Sequence, residues 1–287
     1  MAARRALNAL TFARRRPRRR PHEMALITGA TSGIGASFAR ALPASTGLLL
    51  TGRNQAALDD AAQTLAMGGR VVEVMAADLT DQADRNRVIA RAEAVEIDLF
   101  INNAGIGGVG AVVEQPRETQ AATIDLNVVA VADLARALIS GLLSRAQASG
   151  QRAGMIIVSS STALAPLPYF ATYAATKAFS LYYGEALAAE LRGQPVDVQV
   201  LCPGPTRTAF GGRAGFSPGN LPGAASADDV ARASLAALGD RVVVATGLLN
   251  GPLVETMMRP RQMFTDALSQ VMRPVIRRSR TPDDPPA

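Results

Sequence analysis

From Met24 onward the chain alternates short apolar runs with longer stretches whose apolar residues recur at helical spacing. The runs MALIT (24–28), GLLLT (47–51), VVEVM (71–75), DLFI (98–101), MIIVS (155–159), VDVQVL (196–201) and VVVAT (242–246) predict seven strands. Between them the pattern predicts a helix that stops before Pro43 and others near 54–66, 82–94, 118–148, 172–192 and 227–238. Strands that are apolar on both faces and separated by helices belong in a parallel sheet covered on both sides. The expected fold class is α/β, a doubly wound seven-stranded parallel sheet in one domain over residues 24–250. Two regions break the pattern. Residues 211–225 are rich in Gly and Pro and predict a mobile loop after the sixth strand. Residues 251–287 predict a C-terminal helix, from Pro252 to about Met272, and then a disordered end. The apolar side of that helix is expected on the body or a second subunit, with membrane-surface contact the weaker reading.

Composition changes this picture at the N-terminus. The chain has 287 residues, 48% of them apolar, and a formal net charge of +6. Residues 1–23 hold eight arginines and one acid, and without them 22 basic residues face 23 acidic ones. The basic character therefore describes a tail, expected to be solvated and disordered as a like-charge block. Contact with nucleic acid or an anionic surface, a targeting role and a natural start at Met24 are the other readings. The single cysteine, Cys202, excludes an intrachain disulfide. The single histidine, His22, lies in the tail, so a His-based metal site or a Ser-His-Asp triad in the core is excluded. Acid/base chemistry must then come from Tyr, Lys, Asp or Glu. No run of about twenty apolar residues is present, so no transmembrane span is expected. The cytoplasm is the expected location.

Thr28-Gly29-Ala30-Thr31-Ser32-Gly33-Ile34-Gly35 follows the first strand directly. Glycines there let the backbone approach a pyrophosphate seated at the N-terminus of the next helix, which makes the sheet Rossmann-like. The end of the second strand should meet the adenosine ribose, where NAD-binding sites usually offer an acid. This chain offers Thr51-Gly52-Arg53-Asn54, with no acid until Asp59. A guanidinium suits a 2′-phosphate, so NADP(H) is expected over NAD(H). Tyr173 and Lys177 stand four residues apart at the start of a predicted helix, where both side chains project from one face. A nearby ammonium and the cationic ring of an oxidised nicotinamide would lower the phenol pKa. Ser160, thirteen residues before Tyr173, stands just past the fifth strand and faces the same crevice; Ser159 and Ser161 compete with it.

These residues, with Asp78 in Ala-Asp-Leu, Asn102-Asn103-Ala104-Gly105, Asn127 and Pro203–Thr208, resemble the short-chain dehydrogenase/reductase family over about residues 24–250. The resemblance implies that Tyr173 exchanges a proton with the substrate oxygen while hydride passes between nicotinamide and carbon. It implies that Lys177 lowers the tyrosine pKa and holds the nicotinamide ribose. Ser160 would bind the carbonyl oxygen, and Asn127, in a long helix, would hold a relay water. Asp78 and Leu79 would meet the adenine, and Asn102, Ala104 and Gly105 would shape the fourth strand's end. Pro203, Gly204, Thr206 and Thr208 would grip the carboxamide, while Gly29, Thr31, Ser32, Gly33, Ile34, Gly35 and Arg53 bind the phosphates. Ser32 occupies a position where many NADP(H)-using members carry a second basic residue, which leaves Arg53 to bear the 2′-phosphate largely alone. Family members commonly pair the helices near 118–148 and 172–192, so a homodimer or homotetramer is implied. A sensor that has kept only the fold would not need the tyrosine, and a related epimerase or dehydratase would space its glycines differently. The substrate pocket is expected from Leu164, Pro166, Leu167, Tyr169, Phe170 and Phe216, a lining suited to an apolar ketone or aldehyde.

Overall fold

A computed structural model describes residues 20–208, 210, 223–247 and 263. In chain order the elements are β1 (Met24–Thr28), α1 (Gly33–Ala41), β2 (Gly47–Gly52), α2 (Gln55–Leu65), β3 (Val72–Ala76), α3 (Gln82–Ala94) and β4 (Leu99–Asn102). After β4 come α4 (Arg117–Ile124), a π-helical turn at Asp125–Val129, α5 (Ala130–Ser149), β5 (Ala153–Val158) and α6 (Ala171–Glu190). The last are β6 (Val196–Pro203), α7 (Ala227–Ala237) and β7 (Val243–Thr246). All seven strands are parallel, in the order β3-β2-β1-β4-β5-β6-β7. The fold class is the Rossmann-like α/β sheet expected.

Strand alternation divides the core into two layers. Leu26 and Phe100 pack with Val88, Leu134 and Leu138 on the face covered by α3, α5 and α6. Ile27, Leu48 and Leu50 pack with Phe38, Leu58 and Val230 under α1, α2 and α7. Both faces of the central strands are therefore apolar, and polar chemistry is confined to the strand ends. Helix starts follow local side-chain chemistry: Asn54, Asp81 and Ser226 accept from the backbone N–H groups of Ala57, Asp84 and Asp229.

Three expectations change. The single helix over 118–148 is interrupted by the π turn, because Asn127 there turns inward to bond Ile106. The helical run Arg117–Ser149 is also long and apolar enough to cross a membrane by length and composition. Its Leu134, Leu138 and Leu142 are wholly buried in the body, which is how a core helix uses such a stripe. The folded body also starts before Met24. His22 Nδ1 lies 3.0 Å from Asp98 Oδ2, and the backbone N–H groups of Glu23 and Met24 donate to the same carboxylate. The tail expectation for residues 1–19, most of the 211–225 loop and the helix expected after 251 lie outside the described residues. At the loop's end, Ala225–Ser226 pairs with Thr206–Arg207 in a two-residue parallel ribbon.

Burial pushes the Asp98 carboxyl up, but the hydrogen bond and charge of His22 with the two backbone donors outweigh it, so its pKa falls below the usual range. The folded value lies under the unfolded one, so the carboxylate stabilises above pH of about 4 and that stabilisation is lost as the pH falls through the folded value. Asp98→Asn is expected to lose about 1–3 kcal/mol at pH 7. In thermal melts its deficit should shrink below pH of about 4. A deficit unchanged at pH 3 would contradict this role for the carboxylate.

Candidate active site

The crossovers from β1 and β4 leave the sheet in opposite senses, and a crevice opens beyond the carboxyl ends of these neighbouring strands. One hydroxyl closes its floor. Thr28 Oγ1 accepts from the backbone N–H groups of both Asn103 and Ala104, each at 2.9 Å. The Asn103 amide donates in turn to the carbonyls of Thr28 and Gly29. Gly29 and Gly33 have φ of 65° and 55°, a region that costs other residues strain. Gly35 is small for another reason: a Cβ there would stand 2.3 Å from the Gly29 carbonyl oxygen.

Beyond this turn lies a cavity of about 460 Å³. Of the residues expected to carry catalysis or hold the cofactor, all line it except Gly35, Asn102 and Asn127. Gly35 packs behind the turn. The Asn102 amide points the other way and donates to the Val131 carbonyl, so Asn103 forms the wall expected of Asn102. Strand alternation carried that signal: two successive residues of β4 and its exit cannot face one side. Ile106 and Phe210 also line the cavity and had no recognised motif. Of the expected substrate lining, Leu167 and Phe170 are present, whereas Leu164 packs on a small core cluster, Pro166 is exposed and Tyr169 is 65% exposed. Phe216 lies outside the described residues.

Helix α6 brings Tyr173 and Lys177 to one wall, with Lys177 Nζ 5.9 Å from the centre of the tyrosine ring. Lys177 is buried, and Nζ donates to the Val158 carbonyl at 3.0 Å. The three serines divide. Ser159 turns inward to donate to the Lys177 carbonyl, Ser160 lines the cavity with Tyr173 and accepts from the Thr162 N–H, and Ser161 opens a 3₁₀ turn at the rim. Asn127 Nδ2 donates to the Ile106 carbonyl and Thr176 Oγ1, and Oδ1 accepts from the Ile106 N–H. A Cβ on Gly105 would lie 3.1 Å from Asn127 Oδ1 and 3.2 Å from Lys177 Nζ, so both atoms press on the same side of this glycine. A Cβ on Gly107 would lie 2.7 Å from Tyr173 Cδ2, and Phe210 flanks the same ring at 5.6 Å between centroids.

Electrostatics correct one expectation. Burial pushes the half-buried Tyr173 phenol up to about 12, and the Ser160 hydrogen bond only partly opposes it. Burial likewise pushes Lys177 down to about 8. No lowering of the phenol by the ammonium is resolved: loss of hydration disfavours the charged form of each group and is the largest cause of both shifts. At the other end, burial raises Asp78, but Thr80, through its N–H and hydroxyl, and the Arg53 charge bring it below its ordinary value. Arg53 and Asp78 line the same end of the cavity.

A family model described as short chain dehydrogenase matches residues 23–215. The 1-deoxy-11-beta-hydroxypentalenate dehydrogenase of Streptomyces avermitilis is 36% identical over 230 residues, 77% of this chain and 83% of that protein. A short-chain dehydrogenase from Sphingobium yanoikuyae, solved in complex with NADPH, superposes with a TM-score of 0.69 at 32% identity, covering 92% of this chain and 98% of that one. The bulky-bulky ketone specific alcohol dehydrogenase of Comamonas testosteroni gives 0.67 at 28% identity, over 93% and 97% of the two chains.

The floor of the crevice is directly testable. Thr28→Val keeps the shape but leaves two part-buried N–H groups without their acceptor, a loss of about 2–4 kcal/mol. Chemical denaturation should register that loss, and a variant as stable as the parent would show the clamp to be dispensable.

Proposed function

The chain belongs to the short-chain dehydrogenase family and is an NAD(P)-dependent oxidoreductase, and from that premise we propose that it reduces an apolar ketone or aldehyde with NADPH, using Tyr173 as the acid. The observation that carries the reading is the convergence of Ser160, Tyr173 and Lys177 on one cavity that opens from the glycine turn, with Lys177 Nζ 5.9 Å from the tyrosine ring centre.

The cavity suits a dinucleotide. Gly29 and Gly33 take conformations that let backbone approach a phosphate, and Thr31, Ser32 and Ile34 share the same wall. Arg53, Asp78 and Leu79 would hold the adenosine end, Lys177 the nicotinamide ribose, and Pro203, Gly204, Thr206 and Thr208 the carboxamide side. Bound there, the cofactor supplies the hydride equivalent. The remaining work belongs to the protein. With its pKa near 12, Tyr173 carries its proton at neutral pH and can give it to a carbonyl oxygen as negative charge develops there. Ser160 donates to the same oxygen, in the manner of an oxyanion donor. Lys177 and Asn127, whose Nζ and Oδ1 both lie against Gly105, would return a proton toward Tyr173. Ile106, Leu167, Phe170 and Phe210 give the substrate end an apolar wall, and a relative of this fold is described as specific for bulky ketones. The same reading takes 24–250 as the catalytic domain of a cytoplasmic homodimer or homotetramer. Ile124, Val129 and Tyr182, left 44%, 41% and 59% exposed, support self-association.

Two measurements test the reading. Tyr173→Phe should bind NADPH as the parent does, by fluorescence titration, and lose about 10²–10⁴ of turnover across a panel of carbonyl compounds. Turnover at parental rate would refute the assignment. Arg53→Ala should lower kcat/KM with NADPH by about tenfold or more and leave NADH little affected, as expected for the loss of a charge-assisted phosphate contact. A parent that prefers NADH overturns the cofactor preference.

A further inference from the structure

The geometry points to Arg85 as the positioning residue that sets the adenine-side turn of the cavity. It does so by pinning the peptide plane beside the Leu79 N–H and tying that turn to α5. This rests on the reading that the Asp78 end of the cavity receives the adenine.

Arg85 lies on α3 and is 6% exposed, unusual for an arginine without a structural or functional duty. Its Nη1 donates to the carbonyls of Leu79 at 3.0 Å and Thr80 at 3.1 Å, and its Nε donates to Asp133 Oδ2 at 2.6 Å. Asp133 belongs to α5, the helix that continues from the π turn bearing Asn127.

The backbone groups of this turn can be followed one by one. The Asp78 N–H donates to Asp84 Oδ2, and the Asp78 carbonyl accepts from the Asp81 N–H. Asp78 Oδ1 accepts from the Thr80 N–H and hydroxyl. Arg85 takes the carbonyls of Leu79 and Thr80. Among the described residues, no group accepts from the Leu79 N–H, and Leu79 walls the cavity. In a trans peptide the N–H points opposite to the carbonyl. The Asp78 carbonyl is held toward Asp81, so the Leu79 N–H is held away from that bond. The next peptide is fixed at both ends, by Asp78 on its N–H and by Arg85 on its carbonyl. The turn thus offers one oriented donor, suited to an acceptor nitrogen on a purine edge. Without the guanidinium fork, the carbonyls of Leu79 and Thr80 would be left to water, and the peptide next to the donor would keep only its Asp78 anchor. A lysine offers one compact charge and cannot serve two carbonyls and a carboxylate with the same planar geometry.

The test is calorimetric titration of the full chain with 2′,5′-ADP, which carries the adenine half and no nicotinamide. Arg85→Met is expected to raise its Kd about tenfold, Arg85→Lys less, and Asp133→Asn least, because a neutral amide oxygen still accepts from Nε. Hydrogen exchange at the amides of Thr80 and Asp81 should quicken in the same order. Arg152→Met is the control: it removes a similar arginine staple, to Asp197 and the carbonyls of Gln194 and Val196, away from the cavity, and should leave the Kd unchanged. If Arg85→Met does not fold, Arg85→Lys and Asp133→Asn carry the same ordering. Folded Arg85 variants that bind 2′,5′-ADP like the parent, or a control that weakens it equally, overturn the positioning role alone. A parent that binds neither NADPH nor 2′,5′-ADP overturns the cofactor reading and this inference with it.

Discussion

Two backbone N–H groups, of Asn103 and Ala104, converge on the single hydroxyl of Thr28, and the mouth of the sheet is organised around that meeting. The crossovers from β1 and β4 separate there, so nothing in the ladder itself holds the two chain exits together. Thr28 supplies the missing link with one side-chain oxygen, and Asn103 returns it with two donated bonds to the backbone of Thr28 and Gly29. The glycine turn on one side and the Ala104–Ile106 segment on the other are thereby fixed at a constant separation. Asn127 then grips Ile106 from the far side, and through Thr176 reaches the helix that carries Tyr173 and Lys177. Floor, wall and reacting groups form one hydrogen-bonded chain anchored in a wholly buried strand end.

Within that frame the acid and the cation are adjusted in opposite directions by a common cause. A dry wall disfavours a phenolate and an ammonium alike, so Tyr173 keeps its proton and Lys177 gives its own up more readily than a solvated lysine would. The hydrogen bond from Ser160 is the local force already favouring the phenolate, and it sits where a substrate oxygen would compete for the same donors.

Much of the fold was legible because the code is redundant. Seven doubly apolar runs cannot be satisfied by half-solvated strands, and Gly29, Gly33 and Gly35 announce a tight turn by composition alone. The cavity was legible for the same reason: its walls lie at strand ends, which the alternating pattern locates. What escaped depends on direction or distance. Asn102 and Asn103 are chemically identical, and only pleat alternation separates the core-facing amide from the cavity-facing one. His22 sits among arginines and reads as tail, yet Asp98, 76 residues away, draws it onto the body. The pKa of Tyr173 turned on hydration, which spacing does not report. Phe210 and Ile106 had no motif because apolar wall residues obey shape, not chemistry.

The π turn at Asp125–Val129 has a rotational meaning. An α-helix advances about 100° per residue. One residue accommodated in the wider turn therefore offsets everything after it by about a quarter of a revolution. Along α5 that offset is what lets Leu134, Leu138 and Leu142 meet the sheet while Asp133, beside them, meets Arg85. Asn127 lies within this winding defect and Asp133 follows it, so the direction of each depends on it. Shortening that turn by a residue would leave the sequence of α5 intact, yet would swing its apolar stripe and its carboxylate off their partners together. The length of this segment is for that reason as constrained as the identity of any side chain within it.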